Sequence, residues 1–297
     1  MDGCGITGLL SCVCQHSTVE CQSYHGPVAR EAIILFLTTR PLWLSGLLLI
    51  GATTLVAMVG PVIVRRRVGL ERLSTNNEVA GFKFATVGVL YAVLLAFAVI
   101  VVWEKFSDAD AAVAQEAGAA ATIYRLADGI GGEPGHALRD GMNRYIETTI
   151  SDDWPAMERG GASRAATLAL DQVYASAMAY NPGDGRGRVL FAETLHQLDM
   201  ITQARRTRLV MAAGIVPGVV WFVLFGGAAL TIGFTFFFGT ENLRAQTMMT
   251  GALSILIFSG LLIIIAIDHP FAGTVKVGPE ALTKLLEDFT TTSPGRR

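Results

Sequence analysis

The side chains able to do chemistry fall into three groups. Cys4, Cys12, Cys14 and Cys21 crowd the first 21 residues, with His16 and His25 beside them. Their spacing lacks the paired C-x2-C knuckles of zinc modules, so it assigns no metal site. A second group of carboxylates, Glu147, Asp152, Asp153 and Glu158, lies in a stretch with no histidine between His136 and His196. Without Glu-x-x-His pairs on facing helices, a di-metal carboxylate centre has no ligands. No P-loop, Gly-x-Ser-x-Gly or His-Glu-x-x-His motif occurs, and the glycine-rich run 129–135 follows no strand. The expectation is a protein without a cofactor that is not an enzyme. The third group is Glu104 and Asp268 with Arg205, Arg206 and Arg208, at the ends of long apolar runs. Acids and bases at one membrane face could form a charged vestibule. The simpler reading is anchoring, with the arginines on lipid phosphate and Glu104 within reach of Arg205.

The elements that position these groups are helices in a bilayer. The chain of 297 residues is 52% hydrophobic and 16% charged, against about 25% charged in a soluble domain. Its net charge of −2 excludes a broad nucleic-acid-binding surface. Residues 104–208 carry 15 acidic and 11 basic side chains, whereas residues 65–83 carry two and five. An acidic segment and a basic short link therefore alternate with apolar runs.

Four runs are long enough to span. The first, from Leu42 to Val64, starts after Pro41 with Trp43 at an interface and stops at Arg65-Arg66-Arg67. The second, Phe84 to Trp103, has 20 residues without a charge, enough to cross a core of about 30 Å. Nothing ends its helix at Glu104: Val113, Ala117, Ala120 and Tyr124 continue at helical spacing. Three more helices are expected before residue 208, carrying Leu138, Met142, Tyr145 and Ile146; Leu168 and Val173; and Leu195, Leu198 and Ile201 inward. Segments 129–135, 152–156 and 181–185 read as loops, and Ser163 as a cap. The last bundle helix runs on into span three, Pro217 to Phe238, through a kink at Gly214, Pro217 and Gly218, with Trp221 at the interface of Trp43 and Trp103. Span four covers Met248 to Ile267, and a short helix follows Gly278-Pro279-Glu280.

The fold class is thus all-α: an integral membrane protein with four transmembrane helices and an extramembrane four-helix bundle inserted between spans two and three. The expected units are a structureless tail (1–40), two spans (41–103), the bundle (104–208), two spans (209–267) and a tail with a short helix (268–297). Both termini share the bundle's side of the membrane.

Leu90-Tyr-Ala-Val-Leu-Leu-Ala-Phe-Ala-Val99 leading to Trp103-Glu104, then Glu116, Tyr124 and Trp154-Pro155, form an ordered series. Arg205, Arg208-Leu209, Pro217, Trp221 and Asp268-His-Pro270-Phe271-Ala-Gly273 continue it, with Val277-Gly-Pro279 last. In these pieces the chain resembles the bacterial membrane proteins described as bestrophin-like, over most of its length from Leu47 to Ala281. The resemblance implies four spans and a helical insertion, and supplies no established activity. True bestrophins form pentameric anion channels with an Asn-Pro-Phe-Gly motif and acidic calcium ligands after the last span. Here His269 precedes Pro270-Phe271, the glycine is displaced to Gly273, and Thr274-Val-Lys276 replaces the acidic run.

No span contains an Asp, Glu, His, Lys or Arg side chain, which argues against an ion-coupled transporter. Hydroxyls are the only polar side chains at depth, among them Thr53, Tyr91, Thr231, Thr250 and Ser254. Two functions fit. One is an oligomeric bestrophin-like ion channel whose wall is built from these hydroxyl-bearing spans. The alternative is a membrane-anchored interaction or sensing module whose bundle binds a protein partner or another copy. Either way the partners are the lipid bilayer, in a bacterial inner membrane, and further copies of the chain, with no nucleic acid.

Overall fold

The computed structural model describes residues 42–75 and 77–292. The cysteines, His16 and His25, the 1–40 tail and the last five residues lie outside that range. Every regular element among the described residues is helical. The first span is α1 (Leu42–Val68); a short α2 (Leu70–Ser74) follows. Then comes α3 (Asn77–Ile130), 54 residues in one helix and about 80 Å long. Its interior has no proline, and glycine occurs only as isolated residues that a helix tolerates.

The bundle consists of the lower half of α3 with α4 (Gly132–Thr148), α6 (Arg164–Ala179) and α7 (Gly185–Ala212). Between α4 and α6 lie a π-helical turn, Thr149–Asp153, and α5 (Trp154–Met157). Spans three and four are α8 (Gly218–Thr235) and α9 (Leu243–Ile267), and α10 (Glu280–Thr292) closes the described chain. Among the described residues, helices α1, α3, α8 and α9 are the four long and apolar enough to cross a membrane.

Several local expectations hold for stated reasons. Ser163 Oγ accepts from the Ala165 and Ala166 N–H groups, capping α6. Leu138, Met142, Tyr145, Ile146, Val173, Leu198 and Ile201 are all buried. Other expectations fail. The run 129–135 is hardly a loop: Gly131 alone separates α3 from α4, in the left-handed region at φ 66°. The stretch 152–156 is helical, because the chain widens by a π turn before Pro155, which sits where helices accept proline. Leu168 is exposed.

The C-terminal segment is part of the bundle core. Phe289 stacks on Tyr124 at 3.6 Å, and Leu282 and Phe271 are fully buried. In the membrane, glycines let spans approach: Gly46 lies against Leu262, and a side chain at Gly227 would meet the Tyr91 ring. Tyr91 in turn donates its hydroxyl to the Leu224 carbonyl at 3.1 Å.

The junction between bundle and span three is a break where the sequence suggests a kink. Helix α7 ends at Ala212, Gly214 takes φ 102°, and α8 starts only at Gly218. The freed N–H groups of Ile215 and Val216 need acceptors, and Asp268 at the end of α9 supplies them. Its Oδ1 accepts from Val216 at 2.7 Å and Ile215 at 3.2 Å, and its carbonyl accepts from Ile215 at 3.0 Å. A buried carboxylate ahead of a helix N-terminus is electrostatically favourable. Asp268 is therefore a staple between spans three and four.

Candidate functional site: a buried charge network and an exposed helix stripe

Four charged side chains lie inside the bundle close to the membrane. Arg208 on α7 donates from Nε to Glu116 Oε2 at 2.6 Å and from Nη2 to Oε1 at 3.0 Å, a two-pronged pairing. Tyr145 of α4 donates its hydroxyl to the same Oε1 at 2.5 Å. One turn away, Arg205 grips Asp153 of the π turn, Nε to Oδ2 at 3.0 Å and Nη2 to Oδ1 at 3.1 Å. Asp153 also accepts from the Ser163 N–H, and its Oδ2 is 3.7 Å from Arg208 Nη2. The Arg208 guanidinium lies over the Trp154 ring, 4.7 Å from its centre.

Glu116, Asp153 and Arg208 are fully buried and Arg205 nearly so. Burial alone would make Arg208 less basic, but the charge and hydrogen bonds of Glu116 outweigh it and raise its pKa. Burial, with Glu116 adding to it, pushes the Tyr145 hydroxyl well above its ordinary value. Two arginines and two acids cancel, and their hydrogen-bonding atoms point at one another. The cluster is a strut between α3, the π turn, α6 and α7.

Tyr145 gives the strut a pH signature. A pKa raised on folding means stability that is complete below the unfolded value of about 10 and lost as pH rises beyond it. Tyr145→Phe is expected to flatten that alkaline loss while costing about 1–2 kcal/mol near neutrality, because Glu116 loses a donor. Thermal melts followed by circular dichroism between pH 7 and 11 read both effects.

Of the two readings, a charged vestibule and anchoring, the simpler one puts Arg205 and Arg208 on lipid phosphate and lets Glu104 pair with Arg205 or with the neighbours of Lys105. The structure overturns this: both arginines are inside the protein, and Asp153, not Glu104, holds Arg205. The apolar runs hid it, because residues a few positions from a span read as interfacial. Only Arg206 of the three is exposed. Trp221 is buried between spans and stacked on Phe225, while Trp103 is exposed and stacks on Phe106. Pro217 caps the start of α8. Pro270 and Phe271 turn back into the bundle: Phe271 meets Trp154 edge-on at 5.9 Å, and the Pro270 carbonyl accepts from the Val277 N–H at 2.7 Å. Trp154 Nε1 donates to the Val277 carbonyl. Trp154 thus links the segment after span four to Arg208. Helical spacing presents Tyr145 as one more inward position and assigns nothing to Met157. A buried tyrosine's need for a hydrogen-bond partner was the one usable signal.

The second feature is on the outside of α3. In the bundle half, the uncovered face of this helix reaches from Asp110 round to Gln115, and a strip along its middle, Glu104, Ser107, Ala111, Ala114 and Gly118, is exposed, while Val113, Ala117 and Ala120 are buried. The strip steps alternately by three and four residues. Followed upward at the same steps it passes through Ile100, Phe97, Val93, Leu90 and Thr86, all exposed, to Lys83 at the far end of the span. It is a straight seam with a repeat of seven, about 50 Å long from Lys83 to Gly118.

Comparison with known proteins bears on the fold. The model of the bestrophin-like domain matches residues 51–282. The chain belongs to the bestrophin-like family. A crystal structure of a bacterial bestrophin homologue from Klebsiella pneumoniae, a point mutant, aligns to this bestrophin-like chain with TM-score 0.65 and 13% identity. It covers 83% of this chain and 99% of that one. A second mutant of the Klebsiella pneumoniae homologue aligns with TM-score 0.62 and 13% identity, over 81% and 99% of the two chains. A structure described as a membrane protein gives 0.64 and 13%, over 83% and 99%. At such identities the likeness is one of fold. No curated protein matches. The bestrophin-like chain is thus an integral membrane protein with the helical architecture of those homologues.

Proposed function

We propose that copies of this chain assemble in a bacterial inner membrane around an axis lined by α3, and that the assembly conducts ions. The observation that carries this is the seam on α3. Lipid accounts for an exposed apolar stripe within a bilayer, but not for its continuation below the surface as Ser107, Ala111, Ala114 and Gly118. A line that keeps a repeat of seven through both regions suits helices gathered about a common axis. Membership of the bestrophin-like family supports the same reading.

The wall differs from the hydroxyl-lined one that the sequence suggests. Tyr91, Thr231, Thr250 and Ser254 are buried within the subunit, and Thr53 bonds to the Leu49 carbonyl of its own helix. Leu90, Val93, Phe97 and Ile100 line the axis instead. Such an apolar constriction gates by excluding water rather than by binding an ion.

Recordings from purified protein in planar bilayers test the proposal. Phe97→Ser is expected to wet the constriction and raise the conductance about tenfold, equivalent to about 1.4 kcal/mol off the barrier. Phe222→Ser in α8, also an exposed position but off α3, is expected to change little. Absence of ion conduction in every preparation would remove the pore reading, and equal effects at the two positions would remove α3 from its wall.

A further inference from the structure

We infer that the two mouths of this pore carry opposite charge and that the current it passes therefore rectifies. The inference rests on the pore reading above and deepens it: the conducted species are small ions of both signs, admitted from opposite ends.

The seam of α3 has one charged position at each end of its apolar part. Lys83 is exposed on the side of the short loops and Glu104 is exposed on the bundle side; the seam positions between them, Thr86, Leu90, Val93, Phe97 and Ile100, carry no charge. The two are 21 residues apart, about 31 Å along the helix. At physiological salt the screening length is about 8 Å, so each mouth sets its own ion population. Surroundings reinforce the contrast. Residues 65–83 have a net charge of +3 and residues 104–110 a net charge of −2. Lys105, the one base in the latter stretch, pairs with Asp108 at 2.9 Å. The next charge on the seam, Arg125, is a further 21 residues below Glu104 and well outside its screened range.

In a symmetric assembly each position repeats as a ring. A ring of lysines gathers anions at the loop-side mouth, and a ring of glutamates gathers cations at the bundle-side mouth. A voltage positive on the bundle side drives cations from the Glu104 ring and anions from the Lys83 ring toward each other. Both carriers then enter the apolar neck. The opposite voltage draws both species outward and empties the neck. The same pore thus passes more current in the first polarity than in the second. Neither ring selects one sign across the whole path, since each opposes the ion that the other attracts.

Current–voltage curves in symmetric 150 mM KCl test this, with orientation assigned by which side's protease abolishes the current. The wild type is expected to give a current ratio of about twofold or more between opposite voltages, larger with the bundle side positive. Lys83→Gln with Glu104→Gln is expected to bring the ratio to about one, and exchange of the charges, Lys83→Glu with Glu104→Lys, to invert it. In 1 M KCl, where screening shortens to about 3 Å, the wild-type ratio is expected to fall toward one. Both side chains are exposed, so circular dichroism of the variants is expected to match the wild type. A conducting wild type with a linear curve, or a ratio unmoved by the double glutamine variant, overturns the inference while leaving the pore intact. Silence of every variant sinks the pore itself.

Discussion

Arg208→Met is expected to cost about 3–5 kcal/mol of stability, because it leaves Glu116 buried without its counter-charge. Glu116 has no exposed surface, and without Arg208 it keeps only the Tyr145 hydroxyl as a donor among the contacts described. The Coulomb attraction of a close pair in a dry interior is large, but so is the cost of burying each ion. Removing one partner keeps the cost and discards the gain. Removing both does not: Arg208→Met with Glu116→Gln is expected to recover most of the loss, since the neutral amide still accepts from Tyr145. Thermal unfolding in detergent, followed by far-ultraviolet circular dichroism, reads the three proteins side by side. A single variant as stable as the wild type would mean that Glu116 reaches water. Arg205→Met is expected to be milder, because Arg205 is at the edge of the cluster and Asp153 keeps the Ser163 N–H and a longer contact to Arg208.

A proline at Ala109 is expected to cost more than about 3 kcal/mol and to separate bundle from membrane. Ala109 is fully buried six residues below Trp103, at the point where α3 leaves the spans and enters the bundle. Proline there removes one bond of the helix ladder and drives its ring into the preceding turn. The surrounding core, with Phe106 shared between the bundle cluster and the span cluster, has no space to absorb it. Ala109→Gly is the control, with an expected cost of about 1 kcal/mol from helix propensity alone. Protease sensitivity of the proline variant in membranes should rise near residues 104–115, and the glycine variant should resemble the wild type. Equal behaviour of the two would mean that the helix is not continuous at this point.

The two predictions differ in how far the sequence alone supports them. Continuity of α3 was legible from residues 84–127, because an uncharged run long enough for the bilayer passes into helical periodicity without a breaker. The four spans, the inserted bundle and the Ser163 cap came from the same local signals. They depend on neighbours three or four positions away, which a sequence displays directly.

The strut was not legible. Glu116 and Arg208 are 92 residues apart, and Asp153 and Arg205 are 52 apart. Arg205 and Arg208 looked like surface charges beside a membrane, and no periodicity distinguishes a buried arginine from an anchoring one. The same distance problem hid the docking of α10 and the hydrogen bonds from the Ile215 and Val216 N–H groups to Asp268. Proximity to the bilayer pointed the wrong way for Arg205 and Arg208, since the helix that carries them turns those two inward and Arg206 outward.

Composition and local pattern therefore determined what this chain is made of: four apolar helices, one of them overrunning its membrane into a helical bundle. Tertiary structure decided which side chains meet. Burial turned two arginines expected at the lipid surface into parts of an internal strut, and it left a line of α3 from Lys83 to Gly118 within that helix's exposed face. The reason is physical. A helix's period is written in its own residues, whereas the face it hides is chosen by partners distant in the chain.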